Sequence, residues 1–374
     1  MTAAHPRLSL AMIVANDAAG LERTLESVHG LVDDIVICDT GDRDSSRAAA
    51  LKYRCRVVQQ PWCDSFSVAR NECLRHVQGD WVLWLDAGET MSAEDQQQLQ
   101  AHVRQTPADK TAYLMVVKRP PAPGAVAGEQ IARLRLVPVR PGLWYRGRVR
   151  ESLDESLQTT GIKVEGLPFR ILRDATEHDA EAKQRRARRN IELADLEMRD
   201  GGPKPRLLNC LGEAFLTLGE FEQARSFYRQ AADLSPRGSA DLLEAWYGLL
   251  TVEESAPQGD DQNMELVLKA LEYFPLDMQL LCALGGYLQA SGQWRLSLRA
   301  YETAYRFGQI QPEVWHMEHV HALAAECYAL SLRLQHRSEE ACRVLEQAAH
   351  DHPFAPRLRG QLERLQRSRE VVAG

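Results

Sequence analysis

The stretch Trp81-Val82-Leu83-Trp84-Leu85-Asp86-Ala87-Gly88-Glu89 decides how this chain is read. Five apolar residues, most of them large, run straight into an acidic turn. A strand covered on both faces reads as such a run, and open α/β sheets bind their ligands at the C-terminal strand ends. Carboxylates delivered there have two readings. Either they hold a divalent cation against a substrate diphosphate, since Mg²⁺ and Mn²⁺ prefer oxygen ligands, or they cap the helix that follows.

Working upstream, Leu8 to Ala15 (LSLAMIVA) is a short apolar run closed by the polar turn Asn16-Asp17. Leu21, Leu25 and Val28 then recur at helical spacing, with Gly30 near the helix end. Asp34 to Cys38 predicts a second buried strand, ending in Asp39-Thr40-Gly41-Asp42-Arg43-Asp44. A helix from Ser45 to Tyr53, a strand at Arg56 to Val58 and a helix from Ser65 to His76 lead back to the acidic strand. Such alternation, with short connections, implies a Rossmann-like α/β fold with a mostly parallel sheet and right-handed crossovers. Two of its strands end in Asp-rich turns, at Asp39 and Asp86. That coincidence favours a shared ligand pocket over two unrelated caps.

Downstream the pattern changes. From Ala182 onward the strand signal vanishes, and Lys183, Arg185, Arg186, Arg188 and Arg189 crowd one helix. This basic run reads as a solvated face or as a phosphate- or partner-facing one. Gly201-Gly202-Pro203 then breaks the chain. Leu208, Leu211, Gly212, Phe215, Ala224, Tyr228, Ala231 and Pro236 occupy the signature positions of a tetratricopeptide (TPR) repeat. Gly212 and Ala224 let paired helices approach, large residues fill the groove, and Pro236 ends the second helix. A second copy is legible at Leu281, Leu284, Gly285, Leu288, Tyr301 and Ala304, and a weaker third at Tyr328, Ala329, Ala341, Leu345, Ala348 and Pro353. Trp246, Tyr247, Leu268, Ala270 and Pro275 mark another pair out of strict register. One repeat cannot bury its apolar face alone, so an all-α solenoid is expected. Its concave face would bind peptide or protein, brace the first half, or make a homodimer. The expected domains are 1–178 (α/β), 179–205 (helical linker) and 206–374 (repeats).

At 374 residues the chain is long enough for two domains. The net charge of −7 argues against a dedicated nucleic-acid binder. Eight cysteines without a CxxC pair suggest neither a zinc site nor a disulfide framework. No run approaches the ~18 apolar residues of a membrane span, and the N-terminus lacks a secretory pattern, so the cytoplasm is expected. His316, His319 and His321 read as ordinary helix residues, since their offsets do not make a tetrahedral metal geometry.

LSLAMIVAND, LERTLESV, DDIVICDTGDRD, ARNECL, GDWVLWLDAGE and WYRGRVRE follow one another over roughly the first 150 residues. In these pieces the first half resembles the inverting family 2 glycosyltransferases with a GT-A fold. It is especially similar to a bacterial subgroup fused to TPR repeats, which includes the S-glycosyltransferases of glycopeptide biosynthesis. The resemblance implies a nucleoside diphosphate sugar as donor, with Asn16 and Asp17 lining the nucleotide and Asp39 binding the nucleoside. Arg70 and Asn71 would lie near the sugar nucleotide. Asp86 matches the first carboxylate of the Asp-x-Asp metal motif, but its third position here is Gly88. Glu89 then either reaches the Mg²⁺ or Mn²⁺ ion, or a water fills the vacancy. Alternatively Asp86 binds sugar or ribose with no tightly held metal, or the site no longer turns over.

The implied chemistry is a direct displacement at the anomeric carbon, which needs a base and positive charge for the leaving diphosphate. Glu151 is the candidate base, in Arg148-Val149-Arg150-Glu151 where the family carries Val-His-Glu. Arg150 either holds the diphosphate or quenches Glu151. Arg170 to Asp174 stands where a His-His element is usual, with His178 out of register. The Pro/Gly/Ala-rich segment Arg119 to Glu129 sits where acceptor-side loops occur. The implied function is sugar transfer to a peptide, protein or glycan acceptor, which the repeats recruit or present. The rival is a catalytically silent transferase-like domain serving as a TPR scaffold.

Overall fold

The computed structural model describes residues 5–41, 45–122, 125, 127–174, 179–255, 260–352, 355, 357–358 and 360–364. The chain divides into two compact units, Met1–Gly219 and Glu220–Gly374. Asp42, Arg43, Asp44, His178, Pro353 and part of the 119–129 loop lie outside the described residues. No helix among those described is long and apolar enough to cross a membrane.

The first unit opens with β1 (Leu8–Val14), α1 (Ala18–Val28), β2 (Asp34–Asp39), α2 (Ser45–Lys52), β3 (Arg56–Gln59), α3 (Phe66–His76) and β4 (Trp81–Trp84). It continues through α4 (Ala93–Gln105), β5 (Thr111–Arg119), β6 (Glu129–Pro138), α5 (Asp154–Thr160) and β7 (Lys163–Leu172) to α6 (Ala180–Gly201) and α7 (Pro205–Thr217). These seven strands lie in the order β3-β2-β1-β4-β6-β5-β7. The pairs β1–β2, β1–β4, β2–β3 and β5–β7 are parallel, whereas β6 runs antiparallel to both β4 and β5. The mostly parallel α/β sheet expected from the alternation is therefore present. All four residues of β4 are buried, as a central strand covered on both faces requires. Ser65 caps α3 and Ser92 caps α4, each accepting a backbone N–H.

The second unit is mostly helical among the described residues: α8 (Phe221–Leu234), α9 (Ala240–Ser255), α10 (Asp260–Tyr273), α11 (Met278–Ala290), α12 (Trp294–Phe307), α13 (Val320–Leu334) and α14 (Ser338–Asp351), with a two-residue strand at His316–Met317. Successive helices pack on one another, as in tetratricopeptide repeats. The joints depend on glycine. A Cβ on Gly248 would sit 2.3 Å from the Tyr228 ring, and one on Gly285 would sit 2.5 Å from the Tyr301 ring. Each tyrosine is thereby buried in the groove of its neighbour.

The three histidines depart from expectation. Only His321 of them lies within a helix. His316 is buried ahead of α13 with Nδ1 2.9 Å from the Val314 carbonyl, and His319 caps α13 at φ +58°. The turn before α13 interrupts the helical spacing, which the sequence pattern did not show.

Candidate functional site

Parallel pairing fixes where the acids emerge. Asp39, the last residue of β2, is in register with Val14 at the end of β1, and Asp86 follows β4 on the other side of β1. Both stand at the C-terminal edge of the sheet. Asp39 is buried, and its Oδ1 accepts the Gly41 N–H at 3.1 Å. Its turn meets that of Asn16, a residue at φ +55° whose Oδ1 would be 2.6 Å from any Cβ on Gly41. Glycine at 41 is what lets the two turns touch. Asp17 is engaged differently, since its Oδ1 accepts the Gly20 N–H at 2.8 Å and caps α1.

Three arginines from three elements converge on Asp86. Arg135 of β6 lies 3.2 Å away, Arg173 just past β7 at 3.6 Å, and Arg70 of α3 at 3.7 Å. Nearly half of the Asp86 side chain (46%) remains accessible, while that of Glu89 is only 2% accessible. Glu89 Oε1 accepts from Arg135 at 2.6 Å and Arg173 at 3.2 Å, and its Oε2 accepts the Asp86 N–H at 2.9 Å. Arg70 Nε donates to Glu151 at 2.5 Å, and its guanidinium stacks 4.7 Å over Trp84 and 5.4 Å over Tyr145. Asn71 spends both ends of its amide on the Tyr145 backbone, donating to its carbonyl at 3.0 Å and accepting its N–H at 2.7 Å. It thus steadies the aromatic platform beneath Arg70.

The electrostatics separate the two neighbouring acids. Burial opposes ionisation of Asp86, but Arg135, Arg70 and Arg173 overrule it and hold the carboxyl well below the usual range. Burial pushes Glu89 upward and the Asp86 charge adds to that push, against Arg135 and Arg173. Burial likewise disfavours the Arg70 charge, yet Glu151 and Asp86 raise its pKa further above normal. Asp86 is therefore the exposed anion of the cluster. Arg135 Nε and Trp84 Nε1 are buried donors without a hydrogen-bond partner, so the cluster is short of acceptor oxygen.

A divalent cation does not fit Asp86 and Glu89. Both Glu89 oxygens are committed inside the fold, and Asp86 alone faces three guanidiniums. A divalent and a univalent charge about 5 Å apart repel by roughly 7 kcal/mol at an effective dielectric of about 20. Gly88 closes the other route. It sits at φ +89° with its N–H held by the Gly20 carbonyl and Thr24 Oγ1, both at 3.0 Å, a backbone state that an aspartate rarely adopts. Among the described residues no group of three or more His, Cys, Asp or Glu gathers to hold a metal. Of the alternatives open for Asp86, these contacts favour the one without a tightly held metal over the one in which Glu89 reaches the ion.

Glu151 sits on a strapped loop. Glu197 of α6 accepts the Arg148 N–H at 2.6 Å and pairs with Arg206 at 3.1 Å, and Arg206 also donates to Ser152 Oγ at 3.1 Å. Arg150, at φ +49°, pairs with Glu213 of α7 at 2.6 Å. Of the two roles expected for Arg150, quenching Glu151 falls to Arg70 instead. The sequence reading missed Arg135. It stands two residues from buried Val137, but Arg133 has the same parity and is exposed, so alternation does not single it out.

With this geometry in hand, comparison places the chain among known proteins. Residues 9–132 match the family model described as glycosyl transferase family 2. A TPR repeat-containing protein of Synechococcus elongatus is 28% identical over 300 residues, covering 78% of this chain and 72% of that protein. An uncharacterized glycosyltransferase of Rickettsia felis is 30% identical over 97 residues, which is 25% of this chain and 33% of the relative. Among solved structures, S. aureus TarS 1–349 overlaps 83% of this chain and 96% of its own at 12% identity and a TM-score of 0.36. MamA overlaps 46% of this chain and 94% of its own at 16% identity and a TM-score of 0.35.

Proposed function

We propose that the chain, whose residues 9–132 match the glycosyl transferase family 2 model and whose second unit packs as tetratricopeptide-type repeats, transfers a sugar from a nucleoside diphosphate sugar to a peptide, protein or glycan acceptor. The observation that carries this reading is the half-accessible Asp86 at the same sheet edge as Asp39, with Glu151 one arginine away. Asp39, beside Asn16, accepts from the base or ribose of the nucleoside. Asp86 accepts from sugar or ribose hydroxyls. Glu151 takes the acceptor's proton as the acceptor attacks the anomeric carbon and the bond to the diphosphate breaks, with inversion. The repeats recruit or present the acceptor, and the chain works in the cytoplasm.

One observation favours the silent scaffold instead. Arg70 holds Glu151 at 2.5 Å, and Arg135 and Arg173 hold Glu89, so the candidate base and the acid beside Asp86 already have ionic partners. Donor turnover separates the two readings. Under the transferase reading, a sugar nucleotide raises the melting temperature, because it binds the native state alone, and Asp39→Ala removes the shift. Donor hydrolysis, measured by release of nucleoside diphosphate, drops about 100-fold or more in Glu151→Gln. Stabilisation without turnover, unchanged by Glu151→Gln, leaves the scaffold.

A further inference from the structure

Resting on that donor site, we infer that the nucleoside diphosphate binds as a metal-free anion, with the guanidiniums of Arg70 and Arg173 standing where a divalent cation would otherwise bridge Asp86 and the phosphates. Two observations converge on this. The candidate ligand pair is dismantled, since Glu89 is buried and bonded through both oxygens to Arg135, Arg173 and the Asp86 N–H. The positive charge a diphosphate needs is already present and ordered, because Arg173 and Arg70 flank Asp86 at 3.6 and 3.7 Å.

The two flanking arginines have separate parts. Arg70 is stacked on Trp84 and tied to Glu151, which fixes its plane and leaves 15% of its side chain accessible. Arg173 is 23% accessible and follows the end of β7, where its backbone N–H bonds the Lys118 carbonyl at 2.9 Å. A guanidinium presents a planar fork of donors that matches phosphate oxygens bidentately, so it supplies geometry as well as charge. Arg135 is too deeply buried to reach a ligand. It holds Glu89 so that the acid stays away from the phosphates.

The test is titration calorimetry of the full chain with uridine, guanosine, adenosine, cytidine and thymidine diphosphates, in excess EDTA and again with Mn²⁺. The expected result is a diphosphate whose Kd changes less than threefold between the two buffers. Arg173→Ala weakens that binding at least tenfold in EDTA, and Arg173→Lys weakens it less, since it keeps the charge and loses the fork. Binding that appears only with Mn²⁺, or tightens tenfold or more with it, overturns the inference and leaves the donor site standing. Binding of none of the five in either buffer removes the donor site and this inference together. Because the comparison of buffers uses the unmodified chain, it decides the matter even if a variant fails to fold.

Discussion

At the joints of the second unit, Gly248 lies under the ring of Tyr228 and Gly285 under that of Tyr301, whereas at the sheet edge of the first unit Asp86 and Glu89 are held by arginines from three separate elements. Both arrangements fill a gap with a large side chain. They differ in range and in penalty. A tyrosine on a glycine is a matter of shape between adjoining helices, and a mismatch is felt as local crowding. The arginine clasp joins Glu89 to residues 46 and 84 positions away, and losing one member strands a charge out of water. A joint of the first kind can recur along a chain, while a clasp of the second kind belongs to one place.

The sharpest way to break this contrast is Arg135→Met. It leaves the buried Glu89 with one guanidinium fewer and should lower the unfolding free energy of the chain by about 3–5 kcal/mol in urea titration. Adding Glu89→Leu should restore most of that loss, because an apolar pair of similar volume replaces an ionic one. A loss below about 1 kcal/mol in the single variant would mean that Arg173 suffices and the clasp is redundant.

The corresponding change in the second unit is smaller. Gly285→Ala forces a methyl into the Tyr301 ring and should cost about 1–3 kcal/mol. Hydrogen exchange should report the loss in α11 and α12 and not in the sheet. Tyr301→Leu in the same chain should relieve part of it, which would sharpen the shape argument. An unchanged exchange profile would show that the groove yields without strain.

The smallest effect concerns charge in the second unit, where burial lowers the pKa of His316. The folded chain resists protonating this imidazole, while the unfolded chain protonates it around pH 6.5. The unfolded state therefore binds more protons, and stability falls as pH drops below that value. His316→Asn should flatten the decline as pH falls through the ordinary histidine range, a change that urea titrations at stepped pH would read. Burial raises the pKa of Asp277 and Glu326, whose contributions run the opposite way, but they are common to both chains and cancel in the difference. Parallel curves for parent and variant would assign the acid sensitivity elsewhere.

The fold was legible where side chains repeat with a structural period. The strands at Leu8, Asp34 and Trp81 and the helices between them follow from apolar runs and capped turns. Tyr228, Tyr301 and Gly285 follow from the spacing of the repeats. Strands β5, β6 and β7 were not resolved by that reading, because their buried positions alternate irregularly around a bulge between Tyr113 and Leu114.

The site divides along the same line. Sequence by itself determined that carboxylates stand at the ends of two strands and that glycine occupies position 88, since both follow from local order along the chain. Only the tertiary structure decided which charges those carboxylates meet. Arg135 and Arg173 reach them through an antiparallel strand and the sheet's far end, and Asp17 and Asn71 are turned to capping and bracing. The physical reason is that periodicity and turn chemistry are properties of near neighbours, whereas the ionisation of a half-buried acid depends on every charge folded within a few ångströms of it.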